Sequence, residues 1–216
     1  MTHDNDEDSN LHPSMMVENP NLLRIKKGQE INLSKLDPTI REITVGVGWD
    51  LRAFEGNPVD MDVSVFLLDK NDRTREDEDF VFYNNLVGRG GAVKHMGDSR
   101  TGAGDGDDEQ IIVDLMALPF EVVKIAFVLS IYDLEQQHDF AAVKNTYLRV
   151  VNNETKHESF RFEMDSEGNN STALYMGCFE RIGSDWVYVA KGDAVEGGLS
   201  QIATDFDIVV AENIRA

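Results

Sequence analysis

Residues 43–49 place the tightest constraint on the fold. Ile43, Val45, Val47 and Trp49 fall on one face, with Thr44, Gly46 and Gly48 on the other. A period of two is that of a half-buried β-strand. Glycine weakens a strand unless another group must approach closely, so Gly46 and Gly48 predict close packing against the second face. Residues 63–68 and 125–132 are apolar on both faces, as central strands are. Further strands are expected at 80–83, 111–115, 146–151, 159–163, 174–182, 186–190 and 207–210, between Gly, Asn and Asp clusters. Hairpin connections are expected at 70–75 and 184–185. Helical signals are confined to one turn at 140–143 and a short helix at 199–206. The pattern predicts an all-β fold, a β-sandwich of antiparallel strands with one or two short helices.

Composition limits the function classes. Hydrophobic residues at 41% are enough for a core. Twenty Lys+Arg against forty Asp+Glu give a net charge of −20. Such a surface repels phosphate backbones and anionic lipid, which argues against nucleic acid as a partner. The longest nearly apolar run, 125–132, is too short to insert in a membrane as a helix. A single cysteine, Cys178, excludes an intrachain disulfide and a Cys-based zinc site. It alternates with Leu174 and Met176 and is expected to be a buried structural residue. Residues 1–20 read as a flexible acidic tail without the basic and apolar regions of a secretory signal. Residues 21–213 read as one domain, and a cytoplasmic location is expected.

Residues 97–109 hold five carboxylates (Asp98, Asp105, Asp107, Asp108, Glu109) among four glycines. Carboxylates ~5 Å apart repel by roughly 0.8 kcal/mol per pair even in water. Glycine lets the backbone turn several oxygens toward one point. Hard oxygen donors on a flexible loop suit Ca²⁺ better than Mg²⁺, which demands an octahedron, or zinc, which prefers His or Cys. An EF-hand fails in both registers. From Asp98 the third position is Arg100 and the sixth Ala103; from Asp105 the sixth is Gln110 and the twelfth Met116.

Asp60 and Asp62 lead into an apolar strand, Asn84 and Asn85 follow another, and Asp50 ends a third. These groups converge with the Gly-rich loop if the strand ends share one rim. The competing reading is ordinary solvated turns, since acidic runs usually coat surfaces and Asp commonly ends strands. The mixed-charge run 69–79 reads as a solvated hairpin, and His95 as a polar loop residue.

Several blocks together resemble the TerD family, the bacterial tellurium-resistance and calcium-binding stress proteins. They are 43–50 (ITVGVGWD), 60–68 (DMDVSVFLL), 82–86 (FYNNL), 97–98 (GD) with 101–109 (TGAGDGDDE), 124–128 (KIAFV), 147–152 (YLRVVN) and Asp185-Trp186. The likeness spans about residues 22–210. It implies a calcium-binding β-sandwich active in tellurite and other stress resistance, with no established enzymatic activity. Carried over by residue, it implies Asp60, Asp62, Asn84, Asn85, Asp98, Asp105, Asp107, Asp108 and Glu109 as ligands, enough oxygens for two Ca²⁺ ions. Ser99 stands where the family usually has Asn, and Arg100 replaces an apolar residue.

No nucleophile motif, P-loop or dinucleotide fingerprint occurs, and the five histidines are scattered. A dithiol route to tellurite reduction needs more than one cysteine. The expectation is therefore a non-enzymatic stress-response protein whose acidic loop, ordered by calcium, presents a surface to protein partners of a stress-response complex. The alternative is a β-sandwich ligand-recognition module in which the cation is only structural.

Overall fold

The computed structural model describes residues 22–51, 59–98, 106–131, 138–164 and 170–208, with only the backbone of Asp98. The expected tail 1–20, Asp105 and the side chain of Asp98 lie outside the described residues. In chain order the elements are β1 (Arg24–Ile25), β2 (Glu30–Asn32), α1 (Leu33–Leu36), β3 (Glu42–Leu51), β4 (Met61–Leu68), β5 (Phe80–Val81) and β6 (Val87–Gly88). There follow β7 (Val93–Asp98), β8 (Glu109–Asp114), β9 (Lys124–Ile131), β10 (Val143–Asn152), β11 (Glu158–Glu163), β12 (Ala173–Ile182), β13 (Asp185–Ala194) and α2 (Gly198–Asp205).

The strands form two sheets, ordered β1-β11-β10-β3-β8-β7-β6 and β2-β13-β12-β9-β4-β5. Pairing is antiparallel except between β1 and β11, which are parallel. Val45, Val47, Ile111, Val113 and Leu148 of the first sheet meet Val63, Val65, Phe127, Leu129 and Phe179 of the second in one buried core. Inward residues alternate along each strand, which is why residues 43–49 showed their period of two.

A second apolar layer explains the strands that are apolar on both faces. Phe66, Leu68, Ala126 and Val128 point away from the sandwich core and are covered by Ile202 and Ala203 of α2, with Phe206 beside them. Phe66 stacks on Phe80 with ring centroids 4.5 Å apart and meets Phe206 edge-on at 5.1 Å. The central strands of this sheet are therefore buried on both sides, unlike those of a two-layer sandwich.

The structure departs from the sequence expectations in several places. Residues 207–208 form no strand: the turn closing α2 holds Asp207, and the Ile208 amide donates to the Ala203 carbonyl; residues 209–210 lie outside the described part. Strand β5 stops at Val81, because Phe82 and Asn85 exchange backbone hydrogen bonds in a tight turn. Strands β1, β2, β6 and β7 and helix α1 were unanticipated. His95 lies not in a loop but in β7, with its side chain buried between the sheets. Asp79, expected in a solvated hairpin, is fully buried; it accepts from the Arg75 amide at 2.9 Å and pairs with Arg89.

Candidate metal centre at one rim of the sandwich

Strand register brings the acidic residues to one end of the molecule. Val47 and Asp98 both pair with Glu109, Asp50 pairs with Lys144 at the start of β10, and Met61 pairs with Ile131. A carboxylate oxygen of Glu109 then accepts from the Val63 amide of the opposite sheet at 2.5 Å. The end of β3 and the starts of β4 and β8 therefore share a rim, and Asp50, Asp60, Asp62, Asp107, Asp108 and Glu109 lie on or beside it. Asn84 and Asn85 sit in the turn before Leu86, whose carbonyl accepts from the His95 amide at 2.8 Å. Asn85 turns its amide group back to the Phe80 carbonyl at 2.7 Å.

The consecutive acids of 107–109 have three different environments. Glu109 points between the sheets, where its Oε2 lies 3.6 Å from His95 Nε2. That imidazole accepts from the Gly97 amide at Nδ1 (3.0 Å), so the ring proton sits on Nε2 and faces the Val63 carbonyl at 3.1 Å. Asp108 accepts from the Trp49 amide at 2.8 Å, tying the start of β8 to the end of β3. Its carboxyl is held above the ordinary range, first by burial and then by the charges of Asp50 and Asp107, against the lowering effect of the Trp49 hydrogen bond. Asp107 lies on the outer face of the first sheet. Its Oδ1 accepts from Arg149 Nε at 2.6 Å and from the Tyr147 hydroxyl at 3.1 Å; its Oδ2 accepts from Arg149 Nη2 at 2.9 Å and from Gln110 at 3.0 Å.

The two glycines of β3 make room for this arrangement. A Cβ on Gly46 would overlap the Asp107 carboxylate, and one on Gly48 would lie 2.5 Å from the Tyr147 ring. The close approach expected of Gly46 and Gly48 is thus made by one acid of the run and one aromatic of β10. Sequence reasoning missed Arg149, Tyr147 and Gln110. Their signal is positional: Tyr147 pairs with Gly48 and Arg149 with Gly46, which is visible only once the strand register is known.

Among the described residues no three His, Cys, Asp or Glu side chains already form a metal-holding group. The chemistry of the donors still fits a hard cation. Asp108 carries a raised proton affinity, first from burial and then from the charges of Asp50 and Asp107, and a cation nearby would offset both by favouring the ionised form. An open depression lined by Arg41, Glu42, Asp114, Met116, Asn153 and Glu154 lies at the opposite end of β3 and β8.

Residues 22–206 match the family model of the TerD domain. The chain is 40% identical over 190 residues to general stress protein 16U of Bacillus subtilis (strain 168), covering 87% of this chain and 98% of that protein. It is 39% identical over 185 residues to tellurium resistance protein TerD of Serratia marcescens, covering 85% and 96%. A crystal structure of a homologue of telluride resistance protein (TerD) from Streptomyces coelicolor A3(2) superposes with a TM-score of 0.61. That match has 19% identity and covers 76% of this chain and 95% of the other. With a family match over nearly all of its described length, this chain belongs to the TerD domain family.

Proposed function

We propose that this protein is a calcium-binding stress-response protein of the tellurium-resistance type, acting through stability and interaction rather than turnover. The names of its relatives, a general stress protein and a tellurium resistance protein, support the stress role. The observation carrying the calcium reading is the strand register that brings Asp50, Asp62 and Glu109 to one rim beside Asp108, whose proton affinity is raised first by burial and then by the charges of Asp50 and Asp107. Asp60, Asp62, Asn84, Asn85, Asp98, Asp105, Asp108 and Glu109 are the oxygen donors proposed around it. Bound Ca²⁺ supplies positive charge that cancels their repulsion and accepts several oxygens at once. The chain's own part is to hold the donors on strand ends fixed by the Trp49 and Val63 amides, with residues 97–109 as the face offered to a protein partner.

Calorimetric titration of stripped protein with Ca²⁺, with Mg²⁺ and Zn²⁺ as competitors, tests this. Binding selective for Ca²⁺ is expected, with about 2.7 kcal/mol of added stability at a hundredfold excess over Kd. An unchanged melting temperature and unchanged amide exchange at millimolar Ca²⁺ would sink it.

A bracing reading is favoured by one specific feature. Asp108 and Glu109 both accept backbone N–H groups, from Trp49 and Val63, and so join three strands. If the cation only braces the structure, a ligand binds elsewhere. An Asp60→Asn/Asp105→Asn variant without calcium affinity then keeps wild-type tellurite tolerance, whereas loss of both supports the ion-ordered surface.

A further inference from the structure

We propose that Arg149 is a resident cation at Asp107, withholding that carboxylate from any bound ion, so that Asp107 positions the acidic run and is not one of its ligands. The inference rests on the calcium reading above and separates one acid from the rest. A carboxylate offers about four lone-pair sites. Three of those of Asp107 are taken by the Arg149 fork and Gln110, and the fourth faces the Tyr147 hydroxyl, whose one proton is shared with the Gly106 carbonyl at the same 3.1 Å. Its side chain is 0% exposed, so solvent does not screen the pair as it would on the surface.

Arg149 is itself held from the other side. Its Nη1 donates to Glu158 at 3.1 Å; Glu158 accepts from Arg161 Nε at 2.8 Å, and the Arg161 guanidinium lies 4.5 Å from the centre of the Tyr147 ring. The guanidinium is therefore fixed over the outer face of β10, its protonated form favoured first by the Asp107 hydrogen bonds. Asp107 is one residue from Asp108 and adds to the charge that Asp108 feels. Neutralising Asp107 with a built-in arginine keeps the run foldable without metal, while Asp108 and Glu109 are aimed at other strands.

Calcium titration and melting in EDTA of Asp107→Asn, Arg149→Met, Arg149→Lys and the double variant Asp107→Asn/Arg149→Met test the assignment. Asp107→Asn is expected to keep the native ion count and a Kd within about threefold of native, while melting lower in EDTA. Arg149→Met frees a carboxylate beside the site: calcium affinity rises at least threefold although the metal-free melting temperature falls. The double variant returns the affinity to the native value, and Arg149→Lys, which keeps the charge without the fork, lies between native and Arg149→Met. Two directions of change from one substitution are not what general destabilisation produces. A lost ion or a more than threefold weaker Kd in Asp107→Asn overturns the proposal, as does an unchanged or reduced affinity in Arg149→Met. If the native protein takes up no calcium, the calcium reading fails by itself. The clamp is then decided in EDTA, where non-additive melting losses of the two single variants support it and additive losses overturn it.

Discussion

The Asp107 carboxylate occupies the space that a side chain on Gly46 would need. Gly46→Ala must therefore push Asp107 off the sheet and out of reach of Arg149. Overpacking combined with a broken, largely buried ion pair is expected to cost about 2–4 kcal/mol. In an Asp107→Ala background the obstacle is gone, and the same Gly46→Ala change should cost under about 1 kcal/mol. Denaturant unfolding of the four proteins checks this; equal costs in both backgrounds would show that Asp107 does not pack there.

The layer outside the second sheet gives another expectation. Phe66 is fully buried between β4 and α2, stacked on Phe80 and against Phe206. Phe66→Ala should destabilise by about 3–5 kcal/mol. Calcium affinity, measured where the variant is still folded, should be unchanged, since Phe66 lies toward the far end of β4 from the rim at its start. Loss of both together would mean the outer layer and the rim unfold as one unit.

Much of this was legible in the sequence and some of it was not, for physical reasons. Alternation marked β3, and two-faced apolar runs marked β4 and β9, because burial writes a regular period into a strand. Strand β7 was not legible: its inward positions are Val93 and His95, and an imidazole bonded to Val63 and Gly97 looks polar in the sequence. Strands β1, β2 and β6 are two or three residues long, too short to show any period. At the rim, composition picked out the acids of 97–109 but not their separate environments. Asp107, Asp108 and Glu109 are adjacent in sequence, yet they face Arg149, Trp49 and Val63, which lie 42, 59 and 46 residues away. Only strand pairing brings those partners together.

Cys178 offers a chemical check on the fold. Burial, the largest influence, pushes its thiol up to about 11, and the residue is 0% exposed under the α2 layer. The thiolate is the reactive form, so the native protein should resist thiol reagents at pH 8 and react fully in denaturant. Rapid modification of folded protein would mean that α2 opens readily. The same protection argues against this cysteine as a reductant of tellurite in the native state.

The last expectation concerns pH, and its sign is opposite to that of a salt-bridged acid. Asp108 is held above its ordinary value of 3.8, first by burial and then by Asp50 and Asp107. Between 3.8 and the raised value the folded protein therefore binds more protons at this site than the unfolded chain, so its contribution to stability falls as pH rises through that window. Above the window the ionised carboxylate is a standing penalty, and below 3.8 the effect is absent. Melting in EDTA from pH 4 to 7 should show this falling contribution as the difference between native protein and Asp108→Asn. Asparagine keeps an acceptor for the Trp49 amide but has no charge to titrate. With millimolar Ca²⁺ the difference should reverse near neutral pH, because a cation rewards the ionised acid that burial and repulsion penalise. A difference that stays flat with pH in EDTA would show that neither burial nor the charges of Asp50 and Asp107 raise the Asp108 carboxyl. One that fails to reverse with calcium would remove Asp108 from the ligand set.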